Sequence, residues 1–194
     1  MISENFVLIG VAISVLGSWS YLVDTLKGRV KPNKVSWLLW SIAPMIAFFA
    51  MIKQGVGLTA LATFTVGFLP FVIFVASFFN KNATWEISKL DIICGALSIF
   101  GLILWVITKV GNIAIFFSIV ADALAAVPTI VKSFKFPETE NSTIFFFGIA
   151  NAIIALLAIK EWNFQSYGFQ LYIVVVNSTI ATLIKFKWGL KFAK

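Results

Sequence analysis

Long apolar runs alternate with short polar or basic stretches along the whole chain. Seven such runs lie at residues 5–26, 35–53, 57–79, 90–108, 112–131, 142–160 and 167–185. A transmembrane helix needs about 20 mostly apolar residues to cross about 30 Å of hydrocarbon, which is close to the length of these runs. The connections have at most ten residues, as in NKNATWEISK at 80–89. The pattern therefore predicts an all-α membrane protein with seven transmembrane helices and no soluble domain.

The basic residues are distributed unevenly between the two predicted sides of the membrane. If the spans alternate strictly, three of the fifteen Lys and Arg residues fall on one side, namely Lys53, Lys109 and Lys160. The other twelve are Lys27, Arg29, Lys31, Lys34, Lys81, Lys89, Lys132, Lys135, Lys185, Lys187, Lys191 and Lys194. Because cytoplasmic loops carry an excess of Lys and Arg, we expect the N-terminus outside and the C-terminus in the cytoplasm.

The composition excludes several classes of protein. Apolar residues make up 60% of the chain and charged residues 12%, whereas soluble domains average roughly 45–50% and 25%. The net charge of +7 lies in loops, so it does not indicate nucleic-acid binding. The chain has no His and one Cys, Cys94, which excludes a Ser-His-Asp triad, haem ligation by His, zinc chemistry and an intrachain disulfide. We therefore expect no enzyme, no metal and no cofactor.

Two cytoplasmic turns share a spacing that indicates an internal repeat. The segment YLVDTLKGRVKPNKVSWLLW follows span 1, and AVPTIVKSFKFPETENSTIFFF follows span 5. Lys27 aligns with Lys132, and Pro32 with Pro137 at the same offset. The chain then divides into a three-span repeat at 1–80, a linker helix at 81–110, and a second three-span repeat with a basic tail at 111–194. Because a single span carries the chain back across the membrane between them, both repeats insert with the same orientation and are parallel. The alternative is that any two basic turns after helices look alike.

This 3+1+3 arrangement, with a proline at the cytoplasmic turns after spans 1 and 5, resembles the PQ-loop/SWEET family of transporters. The chain departs from the family motif, because Pro128-Thr129 and Val23-Asp24 stand where Pro-Gln is usual. The resemblance implies a pocket with an amide from the third helix of each half and an aromatic side chain from the second. Asn177 and Trp40 match these positions, with Phe145 or Phe146 opposite Trp40. The counterpart of Asn177 falls near Val66 or Gly67.

Asp122 is the sharpest candidate for chemistry, because it lies at the middle of span 5. An ionised Asp that faced lipid there would cost at least about 2.5–3.5 kcal/mol, so we expect it to face a cavity or a partner. It could serve as a proton site or as the counter-charge of a cationic substrate. The structural alternative is a carboxyl group hydrogen-bonded to Ser or Asn on a neighbouring helix.

Other polar and helix-breaking residues are weaker candidates for a role in binding or in conformational change. Asn151 and Asn177 could bind a solute hydroxyl or a neighbouring helix, and Trp40 could line the pocket or anchor the chain in the interface. Each proline inside a span could act as a hinge or shape a static helix; these are Pro44, Pro70 and Pro128. Asp24, Glu138 and Glu140 lie near the basic turns, where we expect solvated pairs with nearby cations or, alternatively, a cytoplasmic gate.

Two functions remain open from the sequence. One is transport of a small polar solute (a sugar, an amino acid or an amine) by alternating access, with proton coupling through Asp122. The other is a heptahelical receptor or a sorting or scaffold protein, because one fold hosts many functions. The expected partners are the lipid bilayer, the solute and a second copy of the chain, and no nucleic acid. One Arg against 14 Lys suggests an AT-rich genome and a bacterial inner membrane.

Overall fold

Helices account for all the regular structure in the part of the chain described here. A computed structural model describes residues 6–53, 59–108, 111–157, 159 and 162–192. The helices are α1 Phe6–Leu26, α2 Lys34–Lys53, α3 Thr59–Ala76, α4 Lys89–Ile107, α5 Gly111–Lys135, α6 Thr143–Leu157, α7 Phe164–Phe186 and the short α8 Trp188–Phe192. Single turns of 3-10 helix lie at Lys81–Ala83 and Pro137–Thr139. No β-strand occurs among these residues, which confirms the predicted all-α class.

Within the described residues, four helices are long and apolar enough to cross a membrane. They are α1, α4, the Ile115–Lys135 part of α5 and the Tyr167–Phe186 part of α7. Shorter apolar stretches lie at Thr63–Ala76 in α3 and in α6. The outer face of α4 carries exposed Ile92, Ile93 and Phe100, a surface that suits acyl chains better than water. By length and composition, the chain is therefore compatible with a membrane protein.

Each apolar run contains one helix, and the largest difference lies at the end of α5. Span 5 is predicted to end at residue 131, but α5 continues to Lys135 and ends before Pro137. Lys132, predicted to lie in a loop, is therefore inside a helix, and its side chain is buried. The reason is a set of contacts from other parts of the chain, described below. Residues 5, 57–58, 158 and 160 of the predicted spans and Lys109, Lys160 and Lys194 lie outside the described residues.

The third helix of each predicted repeat packs between the other two. α3 contacts α1 and α2, and α7 contacts α5 and α6. We call α1–α3 the first half and α5–α7 the second half. The halves meet where α1 packs on α6 and where α2 packs on α5, while α4 packs on α5 and α2. Gly67 allows the close approach of α3 to α2, since a Cβ there would lie 2.9 Å from the backbone nitrogen of Met45.

Hydrogen bonds gather the lysine-rich connections at one end of the bundle, which we call the basic end. Asn80 Nδ2 of the α3–α4 connection donates to the carbonyl of Leu26, at the end of α1, over 2.8 Å. The backbone N–H of Lys31, after α1, donates to the carbonyl of Thr139, after α5, over 2.9 Å. Gly189 of α8 lies directly against the carbonyl of Phe134 in α5. The basic end thus comprises the α1–α2, α3–α4 and α5–α6 connections together with α8.

Asparagine side chains cap the amino end of the second helix of each half. Asn33 Oδ1 accepts hydrogen bonds from the backbone N–H groups of Val35 at 3.1 Å and Ser36 at 3.2 Å. Asn141 Oδ1 likewise accepts the backbone N–H of Thr143 at 2.7 Å. Such caps satisfy backbone donors that have no partner within the helix. Both turns of the predicted repeat therefore start the following helix in the same way.

Candidate functional site: a mid-bundle carboxylate and an inter-half lock

Asp122 is partnered by a residue of the neighbouring helix α7. The Tyr172 hydroxyl donates a hydrogen bond of 2.7 Å to Asp122 Oδ2. Both side chains are half-buried. The sequence analysis expected a cavity or a partner for this carboxyl group. The structure provides a partner on a neighbouring helix, as in the structural alternative, but the partner is a phenol rather than Ser or Asn. Among the described residues, Tyr172 is the hydrogen-bond partner found for this carboxyl group, and it engages Oδ2.

The two mid-helix asparagines pack at seams between helices, each against a glycine. Asn177 of α7 lies against Gly148 of α6, where a Cβ would overlap its amide nitrogen. Asn151 of α6 lies against Gly10 of α1, where a Cβ would be 2.8 Å from the amide oxygen. Within the described residues, no hydrogen bond joins either amide to Asp122. The structure therefore places Asn151 between the halves and Asn177 inside the second half.

Trp40 lies between the apolar cores of the two halves. It packs against the cluster formed by Tyr21, Val30, Trp37 and Ile73, and also against the second-half cluster that contains Phe145, Val176 and Ile180. Tyr172, the partner of Asp122, borders the second of these clusters as well. The Trp40 indole nitrogen is buried and has no hydrogen-bond acceptor among the described residues. A buried donor without an acceptor costs about 1–3 kcal/mol, so this position calls for an explanation.

The three prolines lie inside continuous helices. Pro44 is in α2, Pro70 in α3 and Pro128 in α5. Each lacks an N–H, so the carbonyl four residues earlier loses its helical partner. The hinge role stays a prediction for all three.

Three buried side chains and the backbone carbonyl of exposed Lys31 tie the two halves together at the basic end; we call this group the inter-half lock. Lys132 Nζ of α5 donates to Glu140 Oε1 over 2.6 Å, and the two side chains are 1% and 0% exposed. The Tyr21 hydroxyl of α1 donates to Glu140 Oε2, also over 2.6 Å. Lys132 Nζ further donates to the carbonyl of Lys31, in the first turn. Glu140 is therefore not the solvated loop residue that the sequence favoured.

Two further polar contacts cross between the halves near the lock. Asn141 Nδ2 donates to Asp24 Oδ2 over 2.6 Å, and Asp24 also pairs with Arg29 at 3.3 Å. This is the predicted pairing of Asp24 with the basic turn, to which the structure adds Asn141. On the other seam, the Thr129 hydroxyl donates to Ser36 Oγ over 2.9 Å. At the basic end, then, both seams are closed by side-chain hydrogen bonds.

Tyr21, Tyr172 and Lys132 make polar contacts that the sequence analysis missed. A phenol within an apolar helix was a usable signal for both tyrosines, because a buried Tyr usually needs a hydrogen-bond partner. Lys132 had no such signal, since it looked like one of twelve loop cations. Its ammonium also lies 4.8 Å from the centre of the Trp85 ring, a contact that only the fold creates.

In the part of the chain that the structure describes, the fold and the site thus define an all-helical protein with four helices of membrane-spanning character and buried polar contacts between its two halves. Comparison with protein-family models, with curated proteins and with solved structures finds no match. Its function must therefore be argued from its own residues.

Proposed function

We propose that the chain is an integral membrane protein with seven spans that transports a small polar solute by alternating access between its two halves. The halves are parallel repeats joined by α4, in the 3+1+3 order of the PQ-loop/SWEET family. The basic end faces the cytoplasm and the N-terminus lies outside, in a bacterial inner membrane. Asp122 is the proton or cation site of the cycle.

The observation that carries this proposal is the environment of Trp40. A donor that is buried between two halves without an acceptor is costly in a static protein. An oxygen of a passing sugar, amino acid or amino alcohol would accept this hydrogen bond and offset the cost. The unpaired donor thereby supports a solute site at Trp40, which transport requires; the buried indole nitrogen of Trp37 and hydroxyl of Ser133 also lack a partner among the described residues.

The packing of the helices supports the repeat. Exchanging α1, α2 and α3 with α5, α6 and α7 converts the main helix contacts of the first half, α1–α3 and α2–α3, into those of the second, α5–α7 and α6–α7. The same exchange converts the α1–α6 seam into the α5–α2 seam. This symmetry of the helix contacts supports the proposed arrangement of two parallel units about an axis along the membrane normal. Such an axis gives two equivalent seams, which can open and close together.

The polar contacts at the basic end support alternating access. Tyr21, Glu140 and Lys132 close one seam, and Ser36 with Thr129 closes the other. A passage that opens to the cytoplasm must break these hydrogen bonds. The structure is therefore interpreted as the state that is closed on the cytoplasmic side.

The test is uptake into liposomes that contain the purified protein, with glucose, alanine and ethanolamine as labelled probes. Trp40→Phe keeps an aromatic ring but removes the donor, so uptake should fall about tenfold while the melting temperature is unchanged or higher. Trp162→Phe, at an exposed tryptophan, is the matched control and should behave as wild type. Absence of uptake of all three probes by correctly folded protein would favour the receptor or scaffold alternative.

The role of Asp122 is tested in the same liposomes. Asp122→Asn keeps the shape of the side chain and its contact with Tyr172 but cannot exchange a proton. We expect uptake by this variant to lose its dependence on an imposed pH gradient. Glu86→Gln, which removes an exposed carboxylate, should keep that dependence. If Asp122→Asn retains it too, Asp122 is not the coupling site.

A further inference from the structure

An open cavity of about 370 Å³ lies at the basic end, over the seam between α1 and α6. Its polar lining comes from the end of α1, the start of α6 and the end of α7: Asp24, Arg29, Asn141, Ser142, Lys185 and Lys187. Val30 and Ile184 add apolar wall. The volume falls within the range of about 300–1,000 Å³ that is usual for small-molecule sites. None of the residues proposed for solute transport in mid-bundle lines this cavity.

The carboxylates of the cavity are already neutralised by the protein itself. Asp24 accepts hydrogen bonds from Asn141 and Arg29. Glu140, which also lines the cavity, is engaged through both oxygens by Tyr21 and Lys132. In contrast, Lys185 and Lys187 have no ion pair with any described residue. The cavity therefore has a surplus of positive charge that nothing in the described chain balances.

The backbone holds one of these lysines at the rim in an unusual conformation. Lys187, between α7 and α8, has a φ of 51°, which is in the left-handed region where glycine is usual. This turn redirects the chain so that α8 packs back on α5. A lysine at a position that favours glycine gives up some stability, and its charge at the cavity offers a reason for its presence.

We infer that the cavity binds a phosphate oxyanion, which Lys185, Lys187 and Arg29 hold by charge-assisted hydrogen bonds. The amino end of α6, at Asn141 and Ser142, adds the favourable pole of its helix dipole. Basic pockets on the cytoplasmic face of membrane proteins suit lipid headgroups, and a soluble phosphate ester has the same chemistry. A bound phosphate would contact α1 of the first half and α6 and α7 of the second. It would thus stabilise the closed basic end, whether or not the protein is a transporter.

The test measures the melting temperature of the full-length protein in neutral detergent during titration with phosphate-bearing probes. One arm adds phosphatidylglycerol, with phosphatidylcholine as the zwitterionic reference, and the other adds glycerol 3-phosphate. The cavity variant is Lys185→Gln/Lys187→Gly, because glycine suits the left-handed backbone and so keeps the fold. The control variant, Lys27→Gln/Lys135→Gln, removes two exposed lysines of the same end that do not line the cavity.

We expect stabilisation of wild type and of the control variant with similar midpoint concentrations. The midpoint of the cavity variant should rise at least about tenfold, since two charge-assisted contacts are lost. Stabilisation by phosphatidylglycerol alone identifies a lipid headgroup, and stabilisation by both probes identifies a phosphate ester in general. The inference is overturned if neither probe stabilises wild type beyond phosphatidylcholine. It is equally overturned if the cavity and control variants respond alike, because the probes are then attracted by the overall positive charge of the basic end and not by this cavity.

Discussion

Glu140→Gln is the substitution that tests the inter-half lock most sharply. The change keeps the size of the side chain, and the Tyr21 hydroxyl can still donate to the amide oxygen. What is lost is the negative charge opposite Lys132, whose side chain is 1% exposed. The ammonium would keep the carbonyl of Lys31 and the face of Trp85 but would have no counter-charge within the lock.

The magnitude follows from the burial of the pair. Removing one partner of a fully buried ion pair costs about 3–5 kcal/mol, because the other charge is left uncompensated in a medium of low polarity. For a chain of this size, one kcal/mol corresponds to about 2–4 °C in melting temperature. Glu140→Gln should therefore melt roughly 6–20 °C below wild type. Lys132→Met added to Glu140→Gln removes the stranded charge and should recover at least half of the loss.

The assay is thermal unfolding of the purified protein in neutral detergent, followed by circular dichroism. Glu138→Gln provides the matched control, since it makes the same chemical change at an exposed residue of the same turn. We expect the control to melt close to wild type. If Glu140→Gln and Glu138→Gln melt at the same temperature, the buried lock does not hold the turn as described. A double variant less stable than Glu140→Gln alone would contradict the stranded-charge argument.

Three further substitutions test the helix packing and the mid-bundle site. Gly67→Ala should destabilise the protein by about 1–3 kcal/mol, because the new Cβ would press on the backbone of Met45. Gly95→Ala is the control for this change. The new Cβ there would meet a side-chain methyl group at 3.0 Å, so this variant should lose less stability in the same melting assay. Tyr172→Phe removes the donor to Asp122 and should lower the melting temperature by a few degrees. Its liposome uptake should keep a pH dependence, and loss of that dependence would assign the titrating role to the pair.

The helices could be predicted from the sequence because the pattern that indicates them is local. An apolar run of sufficient length predicts a helix by itself, and each of the runs contains one. The end of α5 was predicted wrongly because Lys132 and Lys135 read as loop charges. Lys132 is buried only because Glu140 and the carbonyl of Lys31 meet it, and the latter lies 101 residues away in the chain.

The candidate site could be predicted only in part, because its contacts join residues that are far apart in the sequence. Asp122 stood out as an acidic residue in the middle of an apolar run, so its need for a partner could be predicted. Its partner Tyr172 is 50 residues away, and nothing in the sequence pairs the two. The unpaired donor of Trp40 is likewise a property of the packed structure. Residue types predict which groups need a partner, and the fold determines which groups receive one.

Separation of the two halves at the basic end is the central claim, and a reversible crosslink tests it most directly. Ser36 Oγ and Thr129 Oγ1 lie 2.9 Å apart across the α2–α5 seam, and Cys94 is the chain's single cysteine. Ser36→Cys/Thr129→Cys in a Cys94→Ser background should lose liposome uptake on oxidation and regain it on reduction. Uptake by the two single-cysteine variants should be unchanged by oxidation and by reduction. Full uptake by quantitatively crosslinked protein would contradict alternating access through these seams.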